Sequence, residues 1–338
     1  MTREATIQRI LDIEKIDGAD TICSYKVLGW NIVDKIGKFN IGDLCVYVSV
    51  DSIVPEIPEF EFLRKHNFRV KSIKLRKTIS QGLLLDLSIL DTTNFKHGNT
   101  LIDEGLDVTD YLNIIHYEKP IPAELRGLIK GNFLFYTPKT DEVRCENYPE
   151  IIKELNNILV YSTIKYDGTS FTCSYKDGDF NVCSRNNTLK IEGNEDNTYV
   201  KMIEQYDLKN KMIKYNKNIS LQGELCGNGI QKNLLELKTH KVFMFNVWFI
   251  DEQRYGNMLE LIEVCDDLGL DIVQGVDMWI FNDDIETLHQ KTKMFYPNTK
   301  NQIEGIVIRP VFEMFSKTIK NRMSFKIVNR EFLIKNKE

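Results

Sequence analysis

Nowhere does the sequence offer the ~18 uninterrupted apolar residues that a membrane-spanning helix needs, so no membrane partner is expected. Its start, MTREATIQRI, intersperses charge among apolar residues and lacks the apolar block of a secretory signal. An intracellular protein, cytoplasmic or nuclear, is therefore expected. The seven cysteines are odd in number, scattered and without a C-x-x-C pair, which leaves neither a zinc ribbon nor a dithiol redox couple. Buried free thiols are the expectation, since unpaired cysteine behaves as a small core residue. The five histidines show no ligand spacing. Charge of one sign is also missing: 44 Lys and Arg against 49 Asp and Glu leave a net charge of −5, so a polyanionic partner must be met by a local basic surface. There is no internal repeat and no low-complexity tract.

What remains is the composition of an ordinary globular protein, 42% hydrophobic and 28% charged. Its 338 residues are long enough for roughly two domains. From Arg3 to Leu90, β-rich runs such as ICSYKVLGW, LCVYVSV and RVKSIKL alternate with turn signals at Asp17-Gly18, Gly29, Gly37 and Gly42. A small barrel or sandwich over 1–102 is expected. The segment YEKPIPAEL carries two prolines that disfavour helix before them, which puts a linker at 103–122. Beyond it, over 123–338, strands follow from β-branched and aromatic enrichment in ILVYSTIKYD, TSFTCSYK, FNVCSR, ISLQGELCG, KVFMFNVWFID, DIVQGVDMWIF, QIEGIVIRP and SFKIVN. Helical spacing of three and four appears in TYVKMIEQYDLKNKMIKY and NMLELIEVCDDLG. Helices that do not alternate with single strands predict an α+β class with antiparallel sheets.

Chemistry is concentrated in Ile164-Lys165-Tyr166-Asp167-Gly168, where a lysine ends an apolar strand and meets a tight turn. Alone, K-x-D-G is weak evidence, arising by chance in roughly one chain in ten of this length. Its followers add weight: Ser184-Arg185-Asn186-Asn187, Gly223-Glu224-Leu225-Cys226-Gly227, Phe243-Met244-Phe245-Asn246-Val247, Glu304-Gly305-Ile306-Val307-Ile308-Arg309 and Ser324-Phe325-Lys326. In this order the strings resemble the covalent nucleotidyltransferase superfamily of ATP-dependent ligases and capping enzymes.

Three features narrow the resemblance. Lys139-Thr140-Asp141-Glu142-Val143-Arg144 is similar to the K-T-D-E-x-R element of RNA ligases, and GELCGNGIQKN at 223–233 to their G-E-L-x-G-x-G-I-Q element. The amino-terminal REATIQRILDIEKIDGADTI and RVKSIKLRKTISQGLL resemble the RNA ligases typified by the Deinococcus and Naegleria enzymes, in which an OB-type barrel precedes the ligase domain. With about a dozen residues after Lys326, no carboxy-terminal OB domain is expected.

The resemblance implies an amino-terminal OB-like barrel followed by an adenylyltransferase domain, and an ATP-dependent RNA ligase that seals 3′-OH and 5′-phosphate ends. It implies Lys165 as nucleophile, with Asp167 and Lys326 catalytic. Ile164, Arg144, Arg185, Glu224, Phe243, Phe245 and Lys326 are then expected to line the nucleotide. A lysine attacks phosphorus only as the free amine, yet an ordinary lysine with a pKa near ~10.4 is protonated at neutral pH, so nearby cations such as Lys326 are needed. Glu224, Glu304 and Asp167 suit a hard divalent cation, Mg or Mn. Phe243 and Phe245 share one strand face and offer a flat surface to adenine. Relatives often carry K-x-K where this chain has Ser324-Phe325-Lys326, so only the second lysine is matched.

In the barrel, Arg64, Lys65, Arg69, Lys71, Lys74, Arg76 and Lys77 interleave with Phe60, Phe62 and Phe68, a pattern suited to a nucleic-acid backbone. The expected partner is RNA in a duplex or hybrid, bound by a monomer. Two rivals stand beside this reading: a GTP-dependent capping guanylyltransferase, and a nucleic-acid-binding protein with an inactive pocket.

Overall fold

The computed structural model describes residues 3–76, 78–93, 102–117 and 127–336; Lys77 and the end of the expected linker, 118–122, lie outside them. Two compact units divide the chain: one of Met1–Pro120 with Glu146–Pro149 and Leu333–Glu338, the other of Ile121–Cys145 and Glu150–Phe332.

The first unit is built from short antiparallel strands. Ala5–Arg9, Leu44–Val48 and Leu83–Leu85 form one three-stranded sheet, and Asp12–Lys15, Ile22–Val27 and Trp30–Lys35 form another. Their inward side chains feed two apolar clusters, one around Tyr25, Trp30, Ile32 and Tyr47, the other around Ile7, Val46, Val48 and Phe60. A small hairpin, Ile73–Leu75 with Thr78–Ser80, carries part of the basic segment.

The second unit holds two larger sheets. The first orders Ile129–Asn132, Asn187–Leu189, Asp179–Cys183, Thr169–Lys176, Ile219–Cys226, Lys241–Phe249 and Arg254–Tyr255, with Asp271–Ile272 pairing parallel to Lys241–Phe249. One face buries Val242, Met244 and Val247 against Leu261, Val264, Cys265 and Leu268 of the helix Met258–Leu268. That helix starts where the sequence signals it, on a capping box of Asn257 and Glu260, and ends at Gly269, whose φ of 63° suits glycine. The second sheet orders Val143–Arg144, Phe325–Val328, Gly305–Pro310, Leu159–Lys165 and Gly275–Ile280, antiparallel except for the parallel first pair.

The chain passes between these sheets twice near Lys165. It leaves the second sheet at Leu159–Lys165 and enters the first at Thr169–Lys176, and it returns between Asp271–Ile272 and Gly275–Ile280. Two expectations differ in detail. DIVQGVDMWIF is two strands, not one, because Val273 donates to the Met244 carbonyl of one sheet while Gln274 accepts from Ile164 of the other. The helix read through 198–215 is two, Thr198–Gln205 and Leu208–Tyr215, broken by Asp207 at a φ of 52°. All seven cysteines are buried thiols. No helix among the described residues is long and apolar enough to cross a membrane.

Candidate active site

Lys165 is the last residue of its strand and pairs with Gly305, which sets Glu304 beside it. Its Nζ donates to Glu304 Oε2 at 2.6 Å, across 139 positions of sequence. Gly168 then lets the turn close onto the first sheet, since a Cβ there would meet the Leu225 carbonyl at 2.5 Å and Glu224 Cγ at 2.8 Å. Glu224 sits opposite Ser170 on one side and Phe243 on the other. Lys326, in the strand beyond Gly305–Pro310, lies opposite Val307 and Arg144. Lys165, Glu304, Glu224, Asp167 and Lys326 therefore belong to one constellation, carried by both sheets.

Tyr296, which sequence reasoning missed, ties this constellation together. Its buried hydroxyl accepts the backbone N–H of Asp167 and of Glu304 and donates to the Lys165 carbonyl, each at 3.2 Å. Nothing in KMFYPNTK announces this, because a hydroxyl meeting three distant backbone groups is a property of the fold alone. Tyr166 packs edge to face on Tyr296 and on Phe243, with ring centroids 5.8 and 4.8 Å apart. Tyr199 donates to the Ser170 carbonyl at 2.9 Å and stacks on Phe171.

Electrostatics separate the groups further. Burial pushes Glu224 up to about 8, with the like charges of Glu304 and Asp167 adding to it and Lys165 opposing. Burial also lowers Lys326 to about 8, helped by the neighbouring cations Arg144 and Lys165 and opposed by Glu304. The site thus sets mutually repelling carboxylates beside mutually repelling cations. Among the described residues no three His, Cys, Asp or Glu side chains form a ready metal cage, so Glu224, Glu304 and Asp167 are not preassembled as one. Magnesium is commonly held by one or two carboxylates plus substrate phosphates, and a cation would relieve the repulsion at Glu224, so the donors fit that use. The Lys165, Lys326 and Arg144 charges likewise fit a polyphosphate.

The K-T-D-E-V-R segment is fastened to the later strings. Arg185, more than half exposed, donates to Asp141 at 2.7 Å, and Lys139 donates to Asn186 at 2.9 Å. Buried Arg309 spreads its fork over Glu142 at 2.8 Å, the Phe245 carbonyl at 2.9 Å and Ser324 Oγ at 2.9 Å. Burial would raise the Glu142 carboxyl, but Arg309, then Arg322 and Ser324, hold it below the ordinary value. Ser324 is thus an acceptor for a structural arginine. Arg322 is spent on Glu313 and Asn246 and does not stand in for the missing lysine. Phe243 and Phe245 are half-buried, and Ile164 is buried with its N–H on Gln274. A bulge between Gln222 and Gly223 leaves Phe245 as the extra residue of its strand.

The basic segment of the other unit is less uniform than its sequence. Arg64 forks onto Glu61 at 2.6 and 3.1 Å, and Arg69 donates to Asp51 at 2.6 Å while stacking on Tyr117. Phe60 and Phe68 are core side chains and are not available to bases, whereas Phe62 is 56% exposed. Lys65, Lys74 and Arg76 are exposed, and Lys71 is half-buried.

A family model described as RNA ligase matches residues 159–328, and one described as an OB-fold domain matches 4–87. Among solved structures the chain is similar to Naegleria gruberi RNA ligase with PPi, at 29% identity and a TM-score of 0.86, covering 100% of this chain and 99% of that one. A point mutant of the same ligase with ATP and Mn matches at 29% identity and 0.85 over 98% of each chain. Another with AMP and Mn matches at 28% and 0.86, also over 98% of each. No curated protein matches the sequence.

Proposed function

The chain belongs to the RNA ligase family, and from that premise we propose that it is an ATP-dependent ligase joining RNA 3′-OH and 5′-phosphate ends through Lys165. The observation that carries this is the 2.6 Å pairing of Lys165 with Glu304 at the crossing of the two sheets, with Glu224 and Lys326 beside it. The Naegleria ligase structures with ATP, AMP and Mn support the same cofactors here.

The chemistry runs in three steps. The free Lys165 amine attacks the α-phosphorus of ATP; an N–P bond forms, pyrophosphate leaves and the lysine proton is lost. The RNA 5′-phosphate then takes the AMP from Lys165, and the 3′-OH attacks the activated phosphate, forming the phosphodiester and releasing AMP. Glu304 holds the Lys165 nitrogen in place; its charge favours the ammonium, which the cations Lys326 and Arg144 oppose, and the proton passes to the carboxylate or to water as the amine attacks. Lys326 and Arg144 meet phosphate oxygens, where positioning and charge supply most of the acceleration. Phe243 and Phe245 face adenine, Ile164 backs the pocket, Asp167 orients ribose or a water, and Arg185 reaches ribose or phosphate from the rim. Glu224 and Glu304 would hold a divalent cation, Mg or Mn, which would neutralise charge on the triphosphate.

We assign the RNA backbone to Lys65, Lys71, Lys74 and Arg76 of the first unit, with Arg64 and Arg69 shaping that surface through their ion pairs. The substrate is a nick in a duplex or hybrid, and the protein acts as a monomer. The test is sealing of a nicked RNA duplex with a radiolabelled 5′-phosphate at the nick, given ATP and Mg or Mn. Sealing by the wild type and not by Lys165→Ala is expected; a GTP requirement or transfer to a diphosphate end would replace ligation by capping.

A further inference from the structure

The segment 294–303 is a small hairpin with two distinct faces. Tyr296 donates its N–H to Asn301, Ile303 donates to Met294, and Phe295 bridges Gln302 across the pair. Thr299 closes the turn onto Tyr296 behind Asn298, whose φ is 60°. Side chains alternate along such a segment. Tyr296 therefore points inward, 1% exposed, to the Lys165 carbonyl, while its neighbour Phe295 points outward and is 56% exposed. The hairpin is anchored by Asn301, which donates to Leu234 and Glu236, and by Gln302, which donates to Glu331.

The hairpin's own charges are of one sign, although Glu331 and Glu236 touch it at Gln302 and Asn301. From Lys291 to Ile303 the sequence holds three lysines and no acidic residue, in a chain whose net charge is −5. Lys291 is taken by Asp277, by Asp283 and by the Trp279 ring. Lys293 and Lys300 are exposed and, among the described residues, have no ion pair. An exposed aromatic ring between two uncommitted cations is the arrangement that receives a nucleic-acid strand, the ring stacking on a base and the cations meeting phosphates.

We propose that this hairpin is an RNA-contact platform beside the nucleophile: Phe295 stacks on a base near the reacting ends, and Lys293 and Lys300 hold the flanking phosphates. The proposal rests on the ligase reading above and adds a substrate surface to it. Successive residues lie ~3.8 Å apart at Cα, so the platform is one residue from a side chain that touches the Lys165 backbone. The platform is thus the outer face of the hairpin whose inner face fixes the Lys165 backbone.

The test uses the full chain with Phe295→Ala, Phe295→Trp and the double variant Lys293→Ala/Lys300→Ala. Three readouts are compared: labelling of Lys165 by α-³²P-ATP, sealing of a nicked RNA already adenylylated at its 5′ end, and anisotropy of the nicked duplex. Phe295→Ala should label within about two-fold of wild type yet bind and seal about five-fold less well or worse at limiting RNA, the loss expected for one base stack, with Phe295→Trp restoring both. The double variant should lower the log–log salt slope of binding by about one to two. Unchanged binding by Phe295→Ala, an unchanged salt slope, or loss of labelling in step with sealing would each overturn the platform. A wild type that binds RNA but takes no label overturns the ligase reading instead, and the anisotropy arm still decides the platform.

Discussion

Charge is arranged differently around Lys165 and in the segment 60–76. At Lys165 the partners come from far along the chain: Glu304 is 139 residues away and bonds the amine at 2.6 Å. In 60–76 the neutralising partner of Arg64 is Glu61, three residues away on the same turn. Long-range pairing requires the whole fold and concentrates unlike charges in a partly buried place, where burial shifts the proton affinities of Glu224 and Lys326. Local pairing at an exposed site is screened by water and contributes little. The first arrangement suits a reaction centre and the second a surface, although both look alike as strings of charged letters. Lys293 and Lys300 are a third case, with charge that has no ion pair among the described residues.

The sharpest way to break this contrast is at Glu304. Glu304→Gln removes the long-range charge while keeping the size, and lysyl-AMP formation should fall roughly 10²-fold or more, as for other preorganised electrostatic groups. A loss under about three-fold would put Glu304 outside the chemistry.

Next in size is Tyr296→Phe. It strips a bond from each of two buried N–H groups and one carbonyl, each costing about 1–3 kcal/mol where water cannot replace it. Labelling should slow about ten-fold or more and Tm should drop by several degrees. A variant that keeps the wild-type Tm and labelling rate would show that the three bonds of Tyr296 do not position Lys165.

The pH dependence of stability follows from Glu224, whose ordinary value of 4.5 is raised to about 8 by burial. A folded value above the unfolded one adds stability that is complete below about pH 4.5 and is lost as pH rises towards 8. Lys326, lowered from 10.5 to about 8, acts in the other direction, so its cost to the fold is relieved between pH 8 and 10.5. In a chelator, Tm of Glu224→Gln relative to wild type should therefore climb from pH 5 to pH 8; a flat difference would show that Glu224 titrates normally.

The smallest effect is expected from Arg64→Ala, under about two-fold in RNA affinity, because its charge is already matched by Glu61. Lys74→Ala with Arg76→Ala should cost more and flatten the salt dependence. If Arg64→Ala costs as much as that pair, local ion pairing does not withdraw a charge from RNA.

The strands around the site were legible because β-branched and aromatic runs such as LVYSTIK and GIVIRP are buried on both faces and leave little choice of structure. The order of the strings was legible because strand ends put charged residues beside glycines that the close approach of Glu224 and Ile327 requires. The break at Val273–Gln274 was not, since both halves are strand-like and only the two sheets they serve divide them. Tyr296 and the Arg309 fork were not legible either, because each joins backbone groups or side chains whose proximity exists only after the sheets have formed. In 60–76 the sequence shows the charges but not their partners, and it shows Phe60 and Phe68 without showing that the core takes them.

Peptide mapping after incubation with ATP and Mg or Mn tests directly which lysine is the nucleophile. One AMP on the peptide that contains Lys165, released when pyrophosphate is added back, is the expected result. AMP found on another lysine, or none on a protein that still seals RNA, would contradict the assignment of Lys165 as the nucleophile.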